Sequence, residues 1–277
     1  YYRAMKVDPL TPMIGATVEG IQLADVVQDD ALFEAIHEQW MRHLVLFFRD
    51  QELNSQQHLA VGERFGSLHI HPAAPFVGHN PGLMKIYADK DSKRNNGDVW
   101  HSDVSADIEP PMASILRLHK VPSEGGDTLW ANMYAVYESL SATMQAELCE
   151  LQALHHMSYE GFYGDHNPQR QTPEAVHPVV RTHPVTGRHA LFVNRGFTRR
   201  IIGMTSAESR ALLAMLFDRV KQPEFQCRFK WQKNSVAIWD NRCTQHHALW
   251  DYYPETRSGV RVTNPFLDSR EKKVLYY

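Results

Sequence analysis

Trp100-His101-Ser102-Asp103 and, far downstream, Trp239-Asp240-Asn241-Arg242-Cys243-Thr244-Gln245-His246 hold the pieces of a two-His, one-carboxylate metal face. Side chains at i and i+2 leave a β-strand on one side, so a strand through residues 100–103 turns His101 and Asp103 together and Ser102 away. Neutral imidazole and ionised carboxylate suit a borderline divalent ion. Three protein ligands on one face leave positions for substrates, the pattern of non-haem Fe(II) oxygenases. Alone, His-x-Asp is a weak signal in a chain with 16 histidines, where a pair on a surface strand is the plainer explanation.

Working outward, Ser235-Val236-Ala237-Ile238-Trp239-Asp240-Asn241 is an apolar strand-like run closed by turn residues, followed by Gln245-His246-His247-Ala248. A shared ion requires the fold to return this segment to His101, and spacing does not choose between His246 and His247. The stretch Arg257-Ser258-Gly259-Val260-Arg261-Val262-Thr263 alternates so that Arg257, Gly259, Arg261 and Thr263 share one strand face. Two guanidiniums on one face repel, and burying both is tolerable only where each meets an anion. Their planar forks fit carboxylate, sulfonate or sulfate oxygens. Two arginines therefore point to two acidic ligands, the alternative being a solvated edge strand with both turned outward.

The stretches Phe65-Gly66-x-Leu68-His69-Ile70-His71-Pro72, Trp100-His101-x-Asp103, Gly125-Gly126-Asp127-Thr128-Leu129-Trp130, Trp239-Asp240-Asn241-Arg242 and Gln245-His246-x-Ala248, with Arg257 and Arg261 beyond, together resemble the taurine dioxygenase family (TauD/TfdA) of Fe(II)- and 2-oxoglutarate-dependent dioxygenases. The resemblance runs from about Val7 to Phe266. It implies a mainly β fold with flanking helices (α+β) around a double-stranded β-helix, the jelly-roll or cupin-like core. It implies Fe(II) held by the catalytic residues His101, Asp103 and His246, the choice of His246 over His247 resting on this alignment. It further implies 2-oxoglutarate as cosubstrate, its far carboxylate on Thr128 and Arg257, with O2 as the oxidant. Arg261 would meet the acidic group of the primary substrate, His71 falls at a substrate-contacting position, and Trp130 and Trp231 fall at aromatic positions near the site.

The reaction so implied hydroxylates a C–H bond of a small organic acid and forms succinate and CO2. Where the hydroxyl lands on a carbon bearing sulfate, sulfonate or aryloxy, the product collapses and releases sulfate, sulfite or a phenol. The chain departs from the taurine enzymes by carrying Ala74 and Gly97 where those enzymes carry Tyr and Asn. Both changes remove polar contacts and open space, which disfavours a small amine-bearing substrate. The expected substrate is a larger, more apolar acid: an alkyl sulfate or sulfonate, or an aryloxy or alkyl carboxylate. Two other classes are weighed. A zinc hydrolase also uses two His and a carboxylate but needs no second anion clamp at Arg257, and a non-catalytic, organic-acid-binding β-sandwich protein would form no succinate.

The 277 residues carry no linker or low-complexity tract and read as a single domain. A formal net charge of −3 provides no general basic field for nucleic acid. No apolar run approaches the roughly 20 residues that span a bilayer, and Tyr1-Tyr2-Arg3-Ala4-Met5 lacks a signal-peptide pattern, so no membrane partner and a cytoplasmic location are expected. Three cysteines without zinc-site pairing fit a reduced compartment.

Apolar residues at helical spacing predict a helix over Ala31–Arg42, and Leu44–Phe48 predicts a buried strand. Asn54 or Ser55 caps a helix that Gly66 ends, and Thr205-Ser206-Ala207-Glu208 is a capping box opening a helix through about Val220. The Leu212, Leu213, Leu216 and Val220 stripe of that helix serves a core or a subunit interface, and a homo-oligomer, dimer or tetramer, is expected. A further helix is predicted from Ala131 to Leu140. Val179–Arg181 and Ala190–Val193 form a hairpin across Pro184–Gly187. The polar, Gly-rich and aromatic segment around 155–200 reads as an irregular lid over the site, with Phe162 and Phe197 contacting substrate.

Overall fold

Four consecutive apolar side chains, Val45-Leu46-Phe47-Phe48, are all buried, because strand alternation sends them to opposite faces of a sheet that is covered on both. The computed structural model describes residues 5–71, 76–93, 97–157 and 173–265. Its strands in chain order are β1 (Lys6–Pro9), β2 (Ala16–Glu19), β3 (Val45–Phe48), β4 (Phe76–Val77), β5 (Asn80–Ala88), β6 (Pro111–Lys120), β7 (Thr128–Asn132), β8 (Gln152–His156), β9 (Glu174–Pro178), β10 (Val180–Thr182), β11 (His189–Leu191), β12 (Thr198–Ile201), β13 (Gln226–Phe229), β14 (Ser235–Asp240), β15 (Thr244–Ala248) and β16 (Arg257–Pro265). The helices are α1 (Asp30–His43), α2 (Ser55–Arg64), α3 (Met133–Glu138), α4 (Ala142–Cys149) and α5 (Ser206–Val220). The protein is thus mainly β with flanking helices, as expected.

An eight-stranded sheet has the order β1-β2-β3-β14-β6-β16-β5-β4, and a three-stranded sheet the order β13-β7-β15. Alternation splits the large sheet between two cores. Val45, Phe47, Leu116, Leu118, Ala237 and Trp239 face inward and meet Trp130 and Phe229 of the small sheet. Leu46, Phe48, Ile115, Val236 and Ile238 face the other way and pack with Ile36 and Trp40 of α1 and Val61 of α2. On β16, Arg261 pairs with Leu116 of β6, so the arginine face is the inward one. Gly259 lies between the two arginines, where a Cβ would collide with the Arg117 carbonyl and the Leu118 side chain.

Helix starts follow their local chemistry. Asn54 and Thr205 both form full capping boxes, with Gln57 and Glu208 respectively. The helix predicted from Ala131 begins later, at Met133. Ala131 pairs with Gln226 on one side and Gln245 on the other, and this two-sided pairing overrides its helix propensity; Asn132 then caps the helix by accepting from the Ala135 N–H at 3.1 Å. The described parts of the segment around 155–200 are also more regular than its composition suggests. The hairpin across Pro184–Gly187 forms, with Val180 opposite Leu191 and Thr182 opposite His189, and β8, β9 and β12 form a separate sheet of order β12-β8-β9. Within it His155 and His177 are buried and serve as core residues. Ala74, Phe162 and the remainder of 158–172 lie outside the described residues. Among the described residues no helix is long and apolar enough to cross a membrane.

Candidate metal centre and ligand pocket

The His101 N–H donates to the His246 carbonyl at 3.0 Å and the His246 N–H to the His101 carbonyl at 2.8 Å. This isolated antiparallel bridge fastens the 100–103 segment to β15. The imidazole rings follow, with centroids 4.0 Å apart. Asp103 joins them through a turn, not through the strand expected from the i, i+2 spacing: β-pairing stops at His101, Asp103 begins a turn and Val104 adopts a φ of 44°. Ser102 fixes that turn by donating its hydroxyl to the Asn241 carbonyl at 2.7 Å. Asp103 Oδ1 lies 3.7 Å from His101 Nε2 and 3.8 Å from His246 Nε2. Atoms bound at about 2.1 Å to one ion sit roughly 3–4 Å apart, so the three ligand atoms are spaced for a shared divalent cation. His247 is excluded by alternation, its Nε2 facing Asp98 Oδ1 at 2.9 Å.

The protonation states suit an ion. Burial lowers the pKa of both His101 and His246, keeping them neutral, and His101 Nδ1–H donates to the Val99 carbonyl at 2.8 Å, which leaves Nε2 as the lone-pair nitrogen. Burial pushes the Asp103 carboxyl up, but the Arg261 charge and then the two imidazoles outweigh it and hold the group below the usual carboxylate range. Arg261 Nη1 donates to Asp103 Oδ1 at 2.7 Å. Ser114 donates to Oδ2 at 2.7 Å.

Arg257 lines the same cavity and is only 3% exposed. Its Nε donates to the Gly126 carbonyl at 3.1 Å and its Nη2 to Thr128 Oγ1 at 3.3 Å, while Trp231 Nε1 donates to that same hydroxyl at 3.0 Å. No carboxylate pairs with Arg257 among the described residues, since the neighbouring Asp127 is bound by Arg228 at 2.7 Å. A buried guanidinium facing only neutral acceptors is a waiting anion site. Burial depresses its pKa below the ordinary arginine value.

His101, Asp103, Thr128, Trp130, His246, Arg257 and Arg261 line one cavity, closed on its apolar side by Met84, Ile86, Leu116, Trp239 and Ala248. Gly97 belongs to the same wall: its φ is +105°, and a Cβ there would come 3.5 Å from Ala248 Cβ and 3.6 Å from His101 Cε1. Trp130 lies against His246 with ring centroids 6.4 Å apart. Trp231 stands behind Thr128 and carries the Arg257 guanidinium 5.7 Å from its ring. His71 is buried near Arg261 and Asp103, and burial followed by the Arg261 charge lowers its pKa to about 3. Phe197 is 1% exposed and packs behind His101 at 6.2 Å in a small cluster with Val104, Ala106 and Met157, not on the cavity wall. A wider groove of about 1110 Å³ beside His69, Asp107 and His156 contains none of these ligands.

Sequence reading missed Met84, Ile86, Leu116 and Ser114, all on strands whose spacing carries no chemical signal. It quoted Asn241 without a role. A second cluster, His183, Asp240 and Cys243, is structural. Both Asp240 oxygens are taken, Oδ1 by Arg242 Nε at 2.9 Å and Oδ2 by Arg242 Nη2 at 2.8 Å and His183 Nε2 at 3.0 Å.

Residues 6–263 match the taurine catabolism dioxygenase TauD, TfdA family. An alpha-ketoglutarate-dependent sulfate ester dioxygenase of Pseudomonas putida is 35% identical over 272 residues, covering 94% of this chain and 89% of its own. A crystal structure of a taurine dioxygenase from Burkholderia xenovorans superposes with a TM-score of 0.83 at 36% identity, covering 95% of this chain and 89% of the other. AAD-2, solved in complex with Mn(II) and N-oxalylglycine, superposes at 0.82 with 26% identity, covering 96% and 98%. The match extends over nearly the whole chain, and neither a zinc hydrolase nor a passive binding protein accounts for it: this protein is a member of the TauD/TfdA family of Fe(II)- and 2-oxoglutarate-dependent dioxygenases.

Proposed function

We propose that this dioxygenase hydroxylates the sulfate-bearing carbon of an alkyl sulfate, with alkyl sulfonates as the next class, and that His101, Asp103 and His246 hold its iron. Bound ferrous iron supplies the dioxygen chemistry that couples decarboxylation of 2-oxoglutarate to C–H oxidation. The observation that carries the reading is the pair of buried guanidiniums lining one cavity, Arg257 facing only neutral acceptors and Arg261 giving one Nη to Asp103 while its Nε has no partner among the described residues. Arg257 and Thr128 clamp the far carboxylate of 2-oxoglutarate and so fix its orientation, each charge-assisted hydrogen bond contributing about 1.5–3 kcal/mol. Arg261, with His71 beside it, meets the sulfate. Met84, Ile86, Leu116 and Ala248 then offer an apolar wall to the alkyl chain, whereas an amine would find no acid among these residues.

The atoms balance simply. A primary alkyl sulfate, R–CH2–OSO3⁻, gains one oxygen to give R–CH(OH)–OSO3⁻, whose C–O bond to sulfate breaks as the hydroxyl loses its proton. The products are an aldehyde and hydrogen sulfate, alongside succinate and CO2. The facing of the β6, β14 and β16 sheet by the β13-β7-β15 sheet across the site supports the reading of this core as a double-stranded β-helix, a jelly roll. The name of the Pseudomonas putida relative agrees with a sulfate ester. The experiment is a panel of primary alkyl sulfates, alkyl sulfonates, taurine and aryloxy carboxylates supplied with Fe(II), 2-oxoglutarate and O2, with succinate, sulfate, sulfite and phenol quantified. Sulfate equimolar with succinate for a medium-chain alkyl sulfate, and little turnover of taurine, is the expected result. Preferred turnover of an aryloxy carboxylate with phenol release contradicts it.

A further inference from the structure

Asp103 presents two oxygens with different company. Oδ1 faces both imidazole nitrogens and Arg261, while Oδ2 accepts from the fully buried Ser114 hydroxyl at 2.7 Å. Ser114 sits opposite Trp239 in the β6–β14 register, so sheet pairing sets it beneath the ligand turn. Asn241 follows immediately after β14, is 1% exposed, and touches every part of this arrangement. Its Nδ2 donates to Ser114 Oγ at 2.9 Å. Its Oδ1 accepts from Trp239 Nε1 at 2.9 Å and from the Asp103 N–H at 3.3 Å. Its carbonyl accepts the Ser102 hydroxyl at 2.7 Å.

The direction of this chain is determined by chemistry. Indole N–H and backbone N–H can only donate, so the oxygen of the Asn241 amide must face them and its NH2 must face Ser114. Ser114 Oγ therefore accepts a hydrogen bond from the Asn241 amide and has its own O–H left to donate to Asp103 Oδ2. The relay runs one way, from Trp239 through Asn241 and Ser114 to the carboxylate. Its first member also packs against His246, with ring centroids 4.9 Å apart, so carboxylate and imidazole share one support.

We propose that Ser114 and Asn241 are positioning residues that tie one oxygen of Asp103 away from the ion and present the other to it. The inference rests on the reading of His101, Asp103 and His246 as the ligand set, and goes beyond it in naming what holds the carboxylate. Without the Ser114 hydroxyl, Oδ2 loses its partner and the carboxylate, held only through Oδ1 by Arg261 among the described residues, can rotate Oδ2 toward the cation, and the ligand turn loses its anchor to β6.

The test uses Co(II) as a probe, with affinity measured by chelator competition and the site environment read from the visible absorption of the bound ion, together with the thermal unfolding of the metal-free protein. Ser114→Ala and Asn241→Leu are each expected to weaken Co(II) binding by about 10–100-fold, the usual effect of removing a group that orients a metal ligand, and to shift the absorption. A merely structural role would lower the unfolding temperature of the metal-free protein and leave affinity and spectrum as in the parent. Affinity within twofold of the parent and an unchanged spectrum in both variants overturn the proposal. Failure of the parent chain itself to bind Co(II) overturns the ligand set first, and is a distinct result.

Discussion

His101 and His246, 145 positions apart, exchange both of their backbone hydrogen bonds, so the pairing of the two imidazoles is written into the backbone and does not depend on an ion to draw them together. Removing one ring should then leave the fold standing. For His101→Ala and His246→Ala, circular dichroism and unfolding temperature are expected to remain near the parent's while metal affinity falls by more than about 100-fold, beyond the roughly 10–100-fold of a supporting residue. His247→Ala, which loses a contact to the half-exposed Asp98, should bind metal as the parent does. Loss of metal in the His247 variant and retention in the His246 variant would reverse the assignment.

Arg257 offers a second test because its fork is buried and faces neutral partners. Losing two charge-assisted hydrogen bonds at about 1.5–3 kcal/mol each corresponds to a rise of at least about 100-fold in the KM for 2-oxoglutarate, at about 1.4 kcal/mol per tenfold change. Steady-state kinetics of Arg257→Gln measure it. Thr128→Val, which removes one neutral partner, should raise the same KM by a smaller factor of about 10. Equal KM values in parent and Arg257→Gln would exclude the clamp.

The Asp240–Arg242 pair should matter for folding and not for chemistry. Both groups are about 1% exposed at the side chain, and burial of the Asp240 carboxyl is outweighed by Arg242 and His183, which hold its pKa below the usual range. Asp240→Asn leaves a buried guanidinium without its anion, a change that typically costs about 3–5 kcal/mol. Denaturant unfolding should report that loss, while Co(II) affinity of the folded variant stays within a few-fold of the parent.

The thiols provide a reagent-based check on the fold. Cys227 and Cys243 are buried and Cys149 is exposed; burial pushes the Cys227 thiol up to about 12 and raises that of Cys243 well above its ordinary value. Since the thiolate is the reactive form, a disulfide reagent at pH 8 should modify one thiol per folded chain and three after unfolding. Rapid modification of a second thiol in the folded protein would contradict the burial assigned here.

Motif order made the candidate site legible, because His101, Asp103, His246, Arg257 and Arg261 are chemically distinctive residues at fixed separations. The capping box at Thr205 and a helix start at Asn54 or Ser55 were legible for the same reason: they are local. What escaped was non-local. Ser114 is an ordinary strand residue until β14 pairs beside it, and the extent of β7 past Ala131 depends on partners more than 90 residues away in sequence. The i, i+2 spacing brings His101 and Asp103 together through a strand, whereas the structure does so through a turn at Val104 and the tether of Ser102 to Asn241. A lone imidazole carries no sign of burial, and His155 is held in the core by its bond to Ser105 at 3.0 Å.

The central claim, that His101, Asp103 and His246 grip ferrous iron beside a keto acid anchored on Arg257, is tested most directly by anaerobic titration of the Fe(II)-loaded protein with 2-oxoglutarate, following the metal-to-ligand absorption of the complex. The account predicts a saturable band in the parent protein, no band in His246→Ala, and a band in Arg257→Gln that needs at least about 100-fold more 2-oxoglutarate. Absence of a band in the iron-loaded parent, or a titration unchanged by Arg257→Gln, would contradict it.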